Sequence, residues 1–206
     1  MSVTFVQPLT WHFTFRASMK NLLLGFLLCG LMLFSLATRA QSDAPAPVEY
    51  SERVPADGAG RNALYRRAVD WTENHFAYGP KSGQKADAAT GTVRLTGTGK
   101  VKPVDNKARE QEITVLFDFT FRATDNGYEY SVGSFRVIPD AGQPSQTKPL
   151  DVYLTELRAD KNNERTHNER RVTAQATSLA SEAAMAFRSY MNSLPTDANV
   201  GLAGEN

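Results

Sequence analysis

Residues 113–138 read ITVLFDFTFRATDNGYEYSVGSFRVI, and this stretch decides the fold. Ile113, Val115, Phe117, Phe119 and Phe121 fall on alternate positions, with Thr114, Leu116, Asp118, Thr120 and Arg122 between them. Side chains of a strand point alternately to opposite faces, so the pattern predicts one apolar face and one mostly polar face. Asp125-Asn126-Gly127 follows, and Asn-Gly is the strongest short-range signal for a type I′ hairpin turn. With Asn126 and Gly127 as the loop, Asp125 would pair with Tyr128, Ala123 with Tyr130 and Phe121 with Val132. That register keeps Tyr128, Tyr130 and Val132 on the apolar face. Phe135 and Val137 then fall on the wrong parity. A β-bulge at Gly133-Ser134 repairs this, setting Phe117 opposite Phe135 and Val115 opposite Val137.

An apolar strand face needs a cover, and the sequence offers helices on both sides. Asn62 to Phe76 carries Leu64, Tyr65, Ala68, Val69, Trp71, Thr72 and Phe76 at three- and four-residue spacing, which predicts an amphipathic helix with Trp71 as its largest anchor. From about Glu169 to Leu194, Val172, Ala176, Leu179, Ala183, Phe187, Tyr190 and Leu194 form a second helical stripe rich in alanine. Strand character is expected at Val48–Val54 and Thr92–Val101. In the latter, Gly97 and Gly99 lie on the apolar face and could admit the Trp71 or Phe76 ring. The stretch 78–89 is expected to be loop, as are Pro103–Gln111 and Pro139–Pro149. A short helix is expected over Leu150–Leu157, and Asn162-Asn163 reads as a further helix start.

The N-terminus has a different composition. Leu22–Leu36 is almost wholly apolar, Lys20 precedes it, and Thr38-Arg39-Ala40 supplies small residues at the positions a signal peptidase reads. Residues 1–40 are therefore expected to be a leader with a secretory signal, its core at 19–40. Cleavage near Ala40-Gln41 would release a periplasmic or extracellular protein. At 15 residues the run is shorter than the roughly 20 needed for a membrane span. Membrane attachment is thus expected only through an uncleaved signal. Residues 41–47 are expected to be a linker, 48–194 a single α+β domain, and 195–206 a disordered tail. Cys29, the only cysteine, lies inside the leader, so the remainder has no thiol chemistry. Losing Arg16, Lys20 and Arg39 takes the net charge from +1 to −2, which leaves no global basic field for nucleic acid.

The sequence names no catalytic, cofactor-binding or metal-binding residue and calls for no cofactor. His75 and His167 are the only histidines beyond the leader, and neither has a second ligand at helical spacing. Asp118 is the one chemically interesting residue of the hairpin. It reads either as a general acid or base, or as a carboxylate paired with a cross-strand arginine such as Arg94 or Arg136. Asp70 and Glu73 share a helix side with Arg66 and Arg67, as surface pairs do. Gly97-Thr98-Gly99 lacks the following helix that a phosphate cradle requires.

The order strand, Trp-bearing helix, Gly97/Gly99 strand and Asn-Gly-Tyr128-x-Tyr130 hairpin, then C-terminal helix, resembles a bacterial family. This is the domain of unknown function 4468, which is described as having a TATA-binding-protein-like (TBP-like) fold and is typical of exported Bacteroidetes proteins. The likeness covers roughly residues 48–138. It implies a curved antiparallel sheet with the N-terminal Trp-bearing helix and the long C-terminal helix packed on one face. It implies no activity and no functional residues, because the family has none assigned. The expected function is a non-catalytic binding or interaction module of the cell envelope, acting on a partner protein or small ligand. A hydrolase with an unrecognised site is the alternative.

Overall fold

The computed structural model describes residues 47–193. The leader, residues 41–46 of the linker and the tail lie outside the described residues. The elements, in chain order, are β1 (Tyr50–Pro55), α1 (Arg61–Asp70), β2 (Ser82–Asp87), β3 (Thr92–Val101), β4 (Ile113–Thr124), β5 (Gly127–Ile138), β6 (Lys148–Pro149), α2 (Leu150–Ala159), α3 (Asn163–Thr166) and α4 (Asn168–Asn192). A π-helical turn, Trp71–His75, extends α1. The described domain is α+β. Its antiparallel sheet runs β1-β5-β4-β3-β2, with β6 joining β5 beyond the end of β1.

The alternation in β4 places Val115, Phe117, Phe119, Phe121 and Ala123 in the core. Val93, Leu95 and Val101 of β3 and Tyr128, Tyr130, Val132, Phe135 and Val137 of β5 join them. All the large helices cover this face. Trp71 is fully buried, with ring centroids 5.0 Å from Phe119, 5.0 Å from Phe187 and 5.3 Å from Phe76. Phe187 of α4 also meets Phe121, Tyr128 and Tyr130, so it ties the long helix to the hairpin. The alanines at 176, 180, 183 and 184 are buried and let the α4 backbone come close to the sheet. The two glycines of β3 do admit side chains. A Cβ on Gly97 would stand 2.6 Å from the Phe76 ring, and one on Gly99 would stand 2.3 Å from Leu179. The second guest thus comes from α4, not from the Trp71 helix.

The hairpin differs from the expected register by two residues. Thr124 pairs with Gly127, Ala123 with Tyr128 and Phe121 with Tyr130. The two-residue loop is Asp125-Asn126, and neither adopts positive φ, so the turn is not type I′. Gly127 opens β5 instead of closing the loop. Its φ is 147°, and an added Cβ would lie 2.0 Å from the Val54 carbonyl oxygen, so a close approach to β1 requires glycine there. A two-residue shift leaves the faces unchanged, which is why the burial pattern was still correct. The bulge is where the parity placed it. Asp118 pairs with Gly133 and Leu116 with Arg136, leaving an extra residue on β5. Ser134, exposed and at φ 51°, takes that position. Val115 faces Val137, and the Phe117 and Phe135 rings stack at 5.5 Å.

β2 was not expected: residues 82–87 pair with β3 rather than continuing the loop. Every residue of β2 is exposed, so no buried side chain imposes an apolar alternation on its sequence. The helical third follows the expected stripes, with Leu150 and Leu154 buried in α2 and Val172, Ala176, Ala183 and Phe187 buried in α4, while Leu194 lies outside the described residues.

Candidate functional site

With the helices on one side, the other side of the sheet is open among the described residues and carries the residues that alternate with the core. Cross-strand register arranges them in rows. One row runs Arg53, Glu129, Arg122, Thr92, Asp87, and the next runs Ser51, Ser131, Thr120, Arg94, Lys85. These two rows line a trough of about 770 Å³ spanning the five long strands.

Most of the polar groups on this face satisfy one another. Arg122 donates Nε and Nη2 to Glu129, both at 2.5 Å, and Arg53 approaches the same carboxylate at 4.0 Å. Asp87 accepts from the Ala89 N–H at 2.9 Å and the Thr90 hydroxyl at 2.8 Å, which holds its carboxyl below the ordinary range. The Thr120 and Ser131 hydroxyls share a hydrogen bond of 2.8 Å.

Asp118 is bound in the same way. Arg136 donates Nη2 to Oδ1 at 2.8 Å and Nη1 to Oδ2 at 3.1 Å, and the Thr96 hydroxyl donates to Oδ1 at 2.9 Å. Burial raises its pKa, but the Arg136 and Thr96 hydrogen bonds and the Arg136 and Arg94 charges outweigh that effect and leave it lowered. A carboxylate held ionised by a two-pronged arginine is a poor proton donor or acceptor near neutral pH. The cross-strand pairing reading is therefore the one the geometry supports. Asp118 and Thr114 lie outside the trough, and Thr120, on the same face of the strand, lines it.

Arg94 and Lys85 stand apart. They are directly opposite across β3 and β2, both exposed, and no carboxylate among the described residues lies within ion-pairing distance of either. Like charges directly opposite on a sheet repel. Lys85 could not be placed from sequence, because the strand that carries it has no hydrophobic pattern.

The histidines sit elsewhere. His75 lies against the Tyr190 ring at 4.7 Å, with Nε2 3.7 Å from Asp70. His167 holds a left-handed conformation between α3 and α4. No group of three or more His, Cys, Asp or Glu among the described residues is arranged to hold a metal. The expected pairing of Asp70 with Arg66 or Arg67 is replaced by longer-range contacts. Asp70 accepts a short hydrogen bond from the Tyr190 hydroxyl and one of 2.8 Å from Asn74. Arg67 reaches across to the end of α4 and donates to the Tyr190 and Ser193 carbonyls at 2.6 and 2.7 Å. These residues latch α1 to α4, a role that helical spacing alone cannot reveal.

Residues 50–137 match the model of a family described as a domain of unknown function, DUF4468, with TBP-like fold. The likeness is to the DUF4468 family. The match begins with β1 and ends one residue short of the end of β5, so α2, α3 and α4 lie beyond it. A crystal structure of a DUF4468 family protein from Bacteroides ovatus aligns over 76% of this chain and 94% of its own, with a TM-score of 0.52 and 12% identity. A TBP-like protein from Parabacteroides distasonis aligns over 70% of this chain and 97% of its own, with a TM-score of 0.46 and 12% identity. At such identity the first structure shares the fold alone. No curated protein matches the chain. The DUF4468 family is described only as one of unknown function.

Proposed function

We propose that the protein is an exported, non-catalytic binding module of the cell envelope that presents the open face of its sheet to a partner protein. The observation that carries this reading is the trough on the helix-free side, with the unneutralised Arg94–Lys85 pair beside the hydroxyls of Thr120, Ser131 and Ser51. Two cations facing each other cost stability in the free protein, and an acidic side chain from a partner would relieve that repulsion. The free edges favour docking on the face over addition of a strand. The β2 edge is broken by a register shift between Ser82 and Lys85, and β1 carries charged residues and ends in Pro55. The apolar run at Leu22–Leu36, with small residues before Gln41, supports export.

A photo-crosslinking residue at Thr120, in intact cells, tests the reading, with the same residue at Ser178 on the outer side of α4 as control. A discrete adduct from Thr120, absent from Ser178 and abolished by Lys85→Glu with Arg94→Glu, is expected. No adduct, or equal adducts from both positions, would refute the docking face. Mass spectrometry of the same purified protein reads the export step: a mature start near Gln41 is expected, and retention of 22–36 would overturn cleavage.

A further inference from the structure

A second concave surface shares no residue with the trough and lies between the 103–111 loop and the start of α4. It has a volume of about 980 Å³, and Lys107, Arg165, Arg170 and Arg171 line it together with His167. Its two acidic residues are already engaged. Asp105 takes Arg109 at 2.6 Å, and Glu110 takes Lys102 at 3.7 Å. Both of those cations lie outside the lining. Glu169, beside the cleft, is bound by Arg158 at 2.9 Å. Glu164 lines the neighbouring depression, not this one. All four lining cations are exposed, and no carboxylate among the described residues pairs with any of them.

This concentration of charge does not serve the helix. Arg170 and Arg171 stand in the first turn of the 25-residue α4, where the helix dipole is already positive. Cations there oppose the dipole and are unfavourable. The walls are nevertheless fixed. Asn168 accepts from the Val104 N–H through Oδ1 and donates from Nδ2 to the Val104 carbonyl, both at 2.8 Å, and Gln175 Oε1 accepts from the Lys102 N–H at 2.6 Å. The loop that carries Lys107 is thereby held against the helix that carries Arg170 and Arg171.

We propose that this cleft binds a ligand bearing two phosphoryl groups. Guanidinium forks match phosphate oxygens two at a time, and three of the four cations are arginines. A phosphoryl ester carries about −1.5 to −2 at neutral pH, so two of them balance four cations. Because the cations come from both sides of a concavity, the ligand enters it and does not lie across a flat patch. A soluble diphosphate and a diphosphate lipid headgroup present the same chemistry, and the assay separates them.

The purified full chain is titrated calorimetrically with inorganic pyrophosphate. In parallel it is co-sedimented with phosphatidylcholine vesicles with and without diacylglycerol pyrophosphate, a lipid whose headgroup is a diphosphate. Saturable binding to inorganic pyrophosphate, to the pyrophosphate-lipid vesicles or to both is expected, the pattern naming the source. Arg165→Ala with Arg170→Ala should weaken it about tenfold or more, since a hydrogen bond to a charged group contributes about 1.5–3 kcal/mol. Arg170→Lys, which keeps the charge and loses the fork, should weaken it measurably. A thermal midpoint that is not lowered in these surface variants separates lost binding from lost fold. Absence of saturable binding in both arms, equal binding by the variants, or equal competition by sulfate would overturn the proposal.

Discussion

The two faces of the sheet are written by the same strands, one residue out of step. On the helix side, Phe119, Phe121, Tyr128 and Tyr130 meet Trp71 or Phe187 with rings about 5–6 Å apart, and Phe117 meets Phe76 at 6.3 Å. On the open side, Thr92, Thr120, Arg122, Glu129 and Ser131 are held by hydrogen bonds and charge pairs at the surface, while Arg94 faces Lys85. The first face is constrained by volume, since close-packed side chains transmit any change in size. The second is constrained only by pairing, and exposed pairs contribute about 0–1 kcal/mol each. A partner can therefore reshape the open face over evolution without unfolding the domain, whereas the core face cannot change one residue at a time.

The sharpest break of this contrast is Trp71→Ala, which should lower unfolding free energy by about 3–5 kcal/mol in denaturant titration. A loss under about 1 kcal/mol would mean the ring is not the anchor its contacts indicate. Next comes Gly97→Val, which should cost about 1–3 kcal/mol, because Phe76 and Phe117 already occupy the space its Cβ needs. Arg136→Ala should cost about 1 kcal/mol by the same measurement, from the partly buried pair with Asp118. Asp118 has a folded pKa below its unfolded one, so its contribution is present above about pH 4 and is lost as pH falls through the folded value. In an acid titration, Asp118→Asn should flatten that part of the stability curve, and an unchanged curve would show that the pair contributes nothing. The smallest effect is expected for Lys85→Ala, within about 0.5 kcal/mol of the parent and on the stabilising side, because it removes a repulsion. A clear loss would place the lysine in the framework, against the contrast between the faces.

The sequence revealed the core face well because a buried strand face and the helices that cover it must repeat at fixed periods. Phe117, Phe119, Trp71 and Phe187 all lie on the stripes their spacing predicts, and the parity break at Phe135 located the bulge without coordinates. The open face was far less legible. Its clearest feature needs Lys85 opposite Arg94, and Lys85 sits in a strand with no side chain in the core. The hairpin turn misled for a related reason. Asn126-Gly127 has the composition of a type I′ loop, yet the glycine answers to the Val54 carbonyl of a strand far away in the chain. Local chemistry reports local constraints, and long-range contacts such as Arg67 with Ser193 leave no periodic trace.

The place of β1 in the sheet has a consequence for how the chain is made. Tyr50 pairs with Val132 and Pro55 with Gly127, so the first of the described strands bonds, among them, only to the fifth. Until β5 has emerged, β1 has no neighbour in the sheet, and the β3–β4 pairing can form without it. A nascent chain stalled before Gly127 would therefore carry residues 50–55 as an unpaired, protease-accessible segment.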